Sequence, residues 1–112
     1  MNELHNWLEG QGFRFGDDGL RNKGNECDWY AYRRTKIEAR ECECNDGKAM
    51  QIIVKPSQFT LQGEQYSSAS VEVCGEYGGE WWRMEVYGVD VAKLPAKLDT
   101  IERQLIAAWN AL

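Results

Sequence analysis

Histidine occurs once in this chain, proline twice and cysteine four times. With His5 alone, a Ser–His or Cys–His couple has no second imidazole to fall back on, and a site built on several imidazoles is excluded. There is no G-x-S-x-G elbow, no phosphate-cradling glycine loop and no C-x-x-C knuckle. No leading apolar segment of signal-peptide type occurs, and no apolar run approaches bilayer-spanning length, so a soluble cytoplasmic protein is the expectation. Eleven glycines against two prolines suit tight turns between short elements. At 112 residues, one domain spanning 1–112 can bury a single core without staples.

Charge is present but unevenly placed. Between Pro56 and Ala92 lie Glu64, Glu72, Glu76, Glu80, Glu85 and Asp90, with Arg83 as the one base. The formal net charge of −5 therefore belongs to this segment, because acids and bases balance in the rest of the chain. Such a field disfavours wholesale attraction to phosphate and favours a cationic partner. The four cysteines are Cys27, Cys42, Cys44 and Cys74. Cys42 and Cys44, two apart on an expected strand, point the same way and are poorly placed to join each other. With nothing suggesting export, buried or half-buried free thiols are expected, with no metal and no cofactor.

The best-defined stretch runs from Ser68 to Gly88. Val71 and Val73 alternate with polar neighbours, as do Trp82, Met84 and Val86 on the return, and Gly78-Gly79 suits a two-residue primed turn. That turn sets Val71 against Val86, Val73 against Met84 and Gly75 against Trp82 on a core side. Cys74 then meets Arg83, Glu72 meets Glu85, Ser70 meets Tyr87 and Glu76 meets Trp81 on an exposed side.

Elsewhere, Leu4, Trp7 and Leu8 predict a short amphipathic helix over about residues 3–10, with His5 at its margin. Phe13 to Phe15 reads as a short strand, and the Gly-, Asp- and Asn-rich run from Gly16 to Glu26 as a loop. Asp28 to Lys36 predicts a strand with Trp29, Ala31 and Arg33 on one face and Tyr30, Tyr32 and Arg34 on the other. Ile37–Cys44 and Lys48–Lys55 predict a hairpin around Asn45-Asp46-Gly47. A bulged turn there pairs Cys42 with Met50 and Arg40 with Ile52, sending the cysteines, Met50, Ile52 and Val54 inward and Glu41 and Glu43 to water. Gln58 to Tyr66 reads as an edge strand or loop. Pro95 suits the first turn of a closing helix, in which Leu94, Leu98, Ile101, Leu105, Trp109 and Leu112 form an apolar stripe filled by Ala108. The expectation is an α+β domain: an antiparallel sheet of about four to six strands, with a short N-terminal helix and a C-terminal amphipathic helix packed on one face.

Two sets of residues are candidates for function. Glu72, Glu76, Trp81, Arg83, Glu85 and Tyr87 form an acidic and aromatic face suited to a basic protein surface, since carboxylates pair with guanidinium groups and rings stack on them. Glu72 and Glu85 as a carboxylate pair for acid–base work lack the desolvated pocket that tunes such pairs, so the chain reads as non-enzymatic. A small acidic interaction protein follows. By analogy of size and charge, one concrete form is a phage- or prophage-encoded inhibitor of a host nucleic-acid-binding complex, such as an anti-CRISPR or other anti-defence protein. The alternative set is Tyr30, Tyr32, Arg33, Arg34 and Arg40, an aromatic and cationic strand of the kind that binds RNA or single-stranded DNA. A homodimer joined through an edge strand is compatible with either.

Overall fold

The computed structural model describes residues 2–16, 30–43, 50–56 and 68–112. Trp29, the Asp17-Asp18 loop, the Asn45-Asp46-Gly47 turn, Cys27, Cys44 and the Gln58–Tyr66 segment lie outside them. Helix α1 spans Asn2–Gly10 and is followed by strands β1 (Arg14–Phe15), β2 (Ala31–Arg34), β3 (Gln51–Pro56), β4 (Ser68–Tyr77) and β5 (Glu80–Asp90). A 3-10 turn over Val91–Lys93 leads into α2, Leu94–Asn110. Among the described residues the five strands form one antiparallel sheet in sequence order, with β1 and β5 at its edges. The fold is α+β, as the pattern of elements predicts. Among the described residues no helix is long and apolar enough to cross a membrane.

The β4–β5 hairpin closes where the glycine pair requires it. Gly78 and Gly79 have φ of 65° and 78°, left-handed values that both central residues of a primed turn need. The predicted partners Val71/Val86, Glu72/Glu85, Val73/Met84, Cys74/Arg83, Gly75/Trp82 and Glu76/Trp81 all face each other. Ser70 against Tyr87 does not hold as a simple pair. The register slips between Ala69 and Val71, and Ala69 faces Val89, so that both Tyr87 and Gly88 stand opposite Ser70. Gly88 takes a φ of 73°, which absorbs the extra residue as a bulge.

The strand periodicity puts Ala31, Ile52, Val54, Ala69, Val71 and Val73 on one face, and all are buried. Leu4 and Leu8 of α1, Phe13, and Leu94, Leu98, Ile101, Leu105, Ile106 and Trp109 of α2 belong to the same apolar cluster. Each large side chain removed from water in this way contributes roughly 1.5–3 kcal/mol before entropy is counted. The α2 stripe differs from expectation at its edge: Ala108 is exposed, while Glu102 and Ile106 are buried. Gly75 makes room for this packing, because a Cβ there would lie 2.6 Å from Cys42 Sγ and 3.2 Å from the Trp109 ring.

Two expectations fail between β2 and β3. Residues 37–43 do not form a strand; β3 pairs with β2, so Ile52 faces Arg33 rather than Arg40. The 37–43 segment instead runs along the end of α2. The Arg40 N–H donates to Asn110 Oδ1 at 2.7 Å, and Trp109 Nε1 donates to the Arg40 carbonyl at 2.7 Å. Its faces still match the expectation, with Cys42 buried and Glu41 and Glu43 exposed. The expectation of free thiols throughout is also overturned. Cys42 is disulfide-bonded, its partner lying outside the described residues, whereas Cys74 is free and half-buried. The expectation rested on the absence of any export signal, which does not constrain the geometry open to Cys42 on its irregular backbone.

Candidate partner-binding face

The side chains that point away from the helices come from alternate strand positions: Tyr32 and Arg34 on β2, Ile53 and Lys55 on β3, Ser70, Glu72, Cys74 and Glu76 on β4, and Trp81, Arg83, Glu85 and Tyr87 on β5. Register aligns Arg14, Tyr32, Ile53, Glu72 and Glu85 in one row across all five strands. The middle of this face is not open. Ser70 is fully buried and Glu72 is only 3% exposed.

Glu72 is therefore not the surface acid that alternation suggests. Lys55 Nζ lies 2.6 Å from its Oε1 and Arg83 Nε 3.2 Å from its Oε2, so both oxygens face cations of the same chain. The like-charge pair of Glu72 with Glu85 is relieved by Lys55, whose Nζ is also 3.9 Å from Glu85. A lysine two strands away from Glu85 carries this arrangement, and only the β3–β4 register (Lys55 opposite Ser70) brings it near. Cys74 adjoins the same cluster. Burial first, and then the Glu72 carboxylate, push its thiol above the ordinary range, with Arg83 opposing them. Cys74 is consequently a poor nucleophile near neutrality.

Toward the edge the face opens. Trp81 and Tyr87 are 60% and 55% exposed, and Arg83, Glu85 and Asp90 are exposed with them; Glu76 is half-buried. Trp82 belongs to the helix side by register, as predicted, but it is not under the core. It is 37% exposed and donates from Nε1 to the Tyr77 carbonyl at 3.0 Å. Its register partner Gly75 lies against Cys42 and the Trp109 ring, and β5 is one strand further out. Among the described residues no group of three or more His, Cys, Asp or Glu side chains is placed to hold a metal ion.

The alternative aromatic and cationic set is divided by the fold. Arg33 is buried on the helix face. Its guanidinium meets Glu102 at 2.7 and 3.3 Å, donates to the Arg34 carbonyl at 2.9 Å and lies 4.8 Å over the Phe13 ring. Arg40 donates to the carbonyls of Asn110 and Leu112 and stacks 4.6 Å over Tyr77. Tyr30 lies flat on Gly16, where a Cβ would fall 2.0 Å from the ring, and its centroid is 6.0 Å from that of Tyr32. Both tyrosines are half-buried, and Arg34 alone of the three arginines is exposed. His5 packs on Phe15 at 4.5 Å, in keeping with a boundary position. Comparison with protein-family models, curated proteins and solved structures finds no match to this chain.

Proposed function

We propose that this is a non-enzymatic interaction protein whose β5 margin receives a basic surface of a larger partner. The observation that carries the reading is the exposure of Trp81 and Tyr87 on the same side as Glu76 and Glu85, within the segment that holds the whole acidic excess. Large aromatics are costly to leave wet together and are enriched among the anchors of protein interfaces. A guanidinium group stacks on an indole or phenol ring while donating to a carboxylate beside it, so arginine-rich surfaces fit this chemistry best. Glu72 serves here from beneath: it fixes Arg83 and Lys55 rather than touching the partner. An inhibitor from phage or prophage that occupies the basic nucleic-acid channel of a host complex, an anti-CRISPR protein among others, is the concrete form that size and charge support.

The reading is tested by titrating the chain, followed by tryptophan fluorescence, with an arginine-rich peptide and separately with single-stranded oligonucleotides. The peptide should perturb the fluorescence, its effect should weaken with salt, and Trp81→Ala with Glu85→Gln should weaken binding at least tenfold. If the oligonucleotide binds instead, and Arg34→Glu abolishes that binding, the partner is nucleic acid and the proposal fails.

A further inference from the structure

The outer edge of β5 has no strand beside it among the described residues, although β5 is 11 residues long and contains neither proline nor lysine. Such an edge presents a row of unpaired N–H and C=O groups. Beside it runs a groove of about 550 Å³, lined on one side by Val86 to Asp90 without interruption and on the other by Lys93, Lys97 and Ile101 from the helical side. An unbroken run of strand residues means that the backbone edge, not one side-chain face, forms the wall. An edge strand flanked by a helix is the geometry that accepts an added strand.

We propose that the added strand is β5 of a second copy, paired antiparallel about a two-fold axis at Met84. The sequence of β5 is complementary to itself in that register. Arg83 of each copy faces Glu85 of the other, so two opposite-charge pairs form. On the same side Trp81 faces Tyr87, again twice. On the helix side Trp82 faces Val86 and the two Met84 side chains meet. Each is a favourable cross-strand pair. Moving the axis to Glu85 sets that residue against itself and Glu80 against Asp90. Moving it to Arg83 sets two arginines together. Moving it to Val86 carries the bulge at Gly88 into the pairing, whereas the Met84 register leaves the bulge at its end.

The groove completes the match. With Val86 opposite, Trp82 of the second copy stands at the groove wall, and its Glu80 falls opposite Gly88 near Lys93 and Lys97. The exposed indole and the positively charged side of the groove thus find partners together. The open faces of both copies lie on one side of a continuous sheet, so the dimer presents the proposed partner-binding margin twice. The pairing does not depend on that reading, and either can fail without the other.

Sedimentation velocity on the full chain should show a reversible dimer. Glu85→Lys, which turns both ion pairs into repulsions while relieving the like charge against Glu72, should weaken it roughly ten- to hundredfold and leave the circular dichroism intact. The register is tested by oxidative cross-linking. Met84→Cys places two thiols across the axis and should give a covalent dimer. Trp81→Cys places them about 20 Å apart and should not, while also controlling for Cys74. A monomeric wild-type chain, or equal cross-linking of the two variants, overturns the proposal.

Discussion

Among the described residues two carboxylates are buried, one on each face of the sheet, and they are held in different ways. Glu102, on the helix side, is bound by a guanidinium that is itself buried: Arg33 approaches it at 2.7 and 3.3 Å, and the Lys36 backbone N–H donates to it at 2.6 Å. Glu72, on the other side, is bound by cations whose side chains remain 35% and 55% exposed. The first cluster is closed to solvent and to any partner. The second shares its cations with water, so it can support a surface that binds something else. Burial of the acid alone does not distinguish a structural ion pair from the underside of a site; the exposure of the counter-charges does.

The largest effect expected from this difference is at Glu102. Glu102→Ala strands a buried guanidinium and the Lys36 N–H, which should cost about 3–5 kcal/mol, read as a fall in the urea midpoint. Replacing both partners with apolar residues, Arg33→Met with Glu102→Leu, should cost much less than the single change, because no charge is left unpaired in the core. Equal losses in the single and double variants would place the stability in side-chain packing instead.

Glu72→Ala should cost about 1–2 kcal/mol, since Lys55 and Arg83 can turn into water once released and their exposure screens the lost attraction. Added salt should narrow the difference between Glu72→Ala and wild type while leaving the Glu102→Ala difference nearly unchanged. If Glu72→Ala is the more damaging of the two, the contrast between the clusters is reversed.

Which parts of this arrangement are legible in the sequence follows from the distance over which each is decided. The β4–β5 register is local, since Gly78-Gly79 and the alternation around them define every pair up to Val71. The α2 stripe is legible for the same reason. Residues 37–43 misled because Ile37, Ala39 and Cys42 carry enough apolar character to suggest a strand, while the hydrogen bonds that hold the segment come from Trp109 and Asn110, 69 and 70 residues away. The Arg33–Glu102 pair, also 69 residues apart, has no local signature. In isolation Arg33 looks like a cation free to meet phosphate. Trp81 and Tyr87 were visible as an exposed pair. The burial of Glu72 was not, because Lys55 reaches it from the neighbouring strand.

The smallest effect comes from Cys74, which reports on the exposed cluster from within. Its thiol is held above the ordinary range by burial and then by Glu72, so its reaction with iodoacetamide should rise at a higher pH than that of free cysteine. Glu72→Gln should lower that midpoint without restoring the free value, because burial is the larger cause and remains. Arg83→Gln should raise it, since the guanidinium opposes the other two. The linkage has a definite sign. A thiol whose folded pKa is raised favours the folded state below its unfolded pKa and loses that contribution as pH climbs through the folded value. Cys74→Ala should therefore flatten the alkaline fall in stability and leave the neutral region unaltered. A midpoint at or below that of free cysteine would show that Lys55 and Arg83, rather than burial and Glu72, dominate the field at this position.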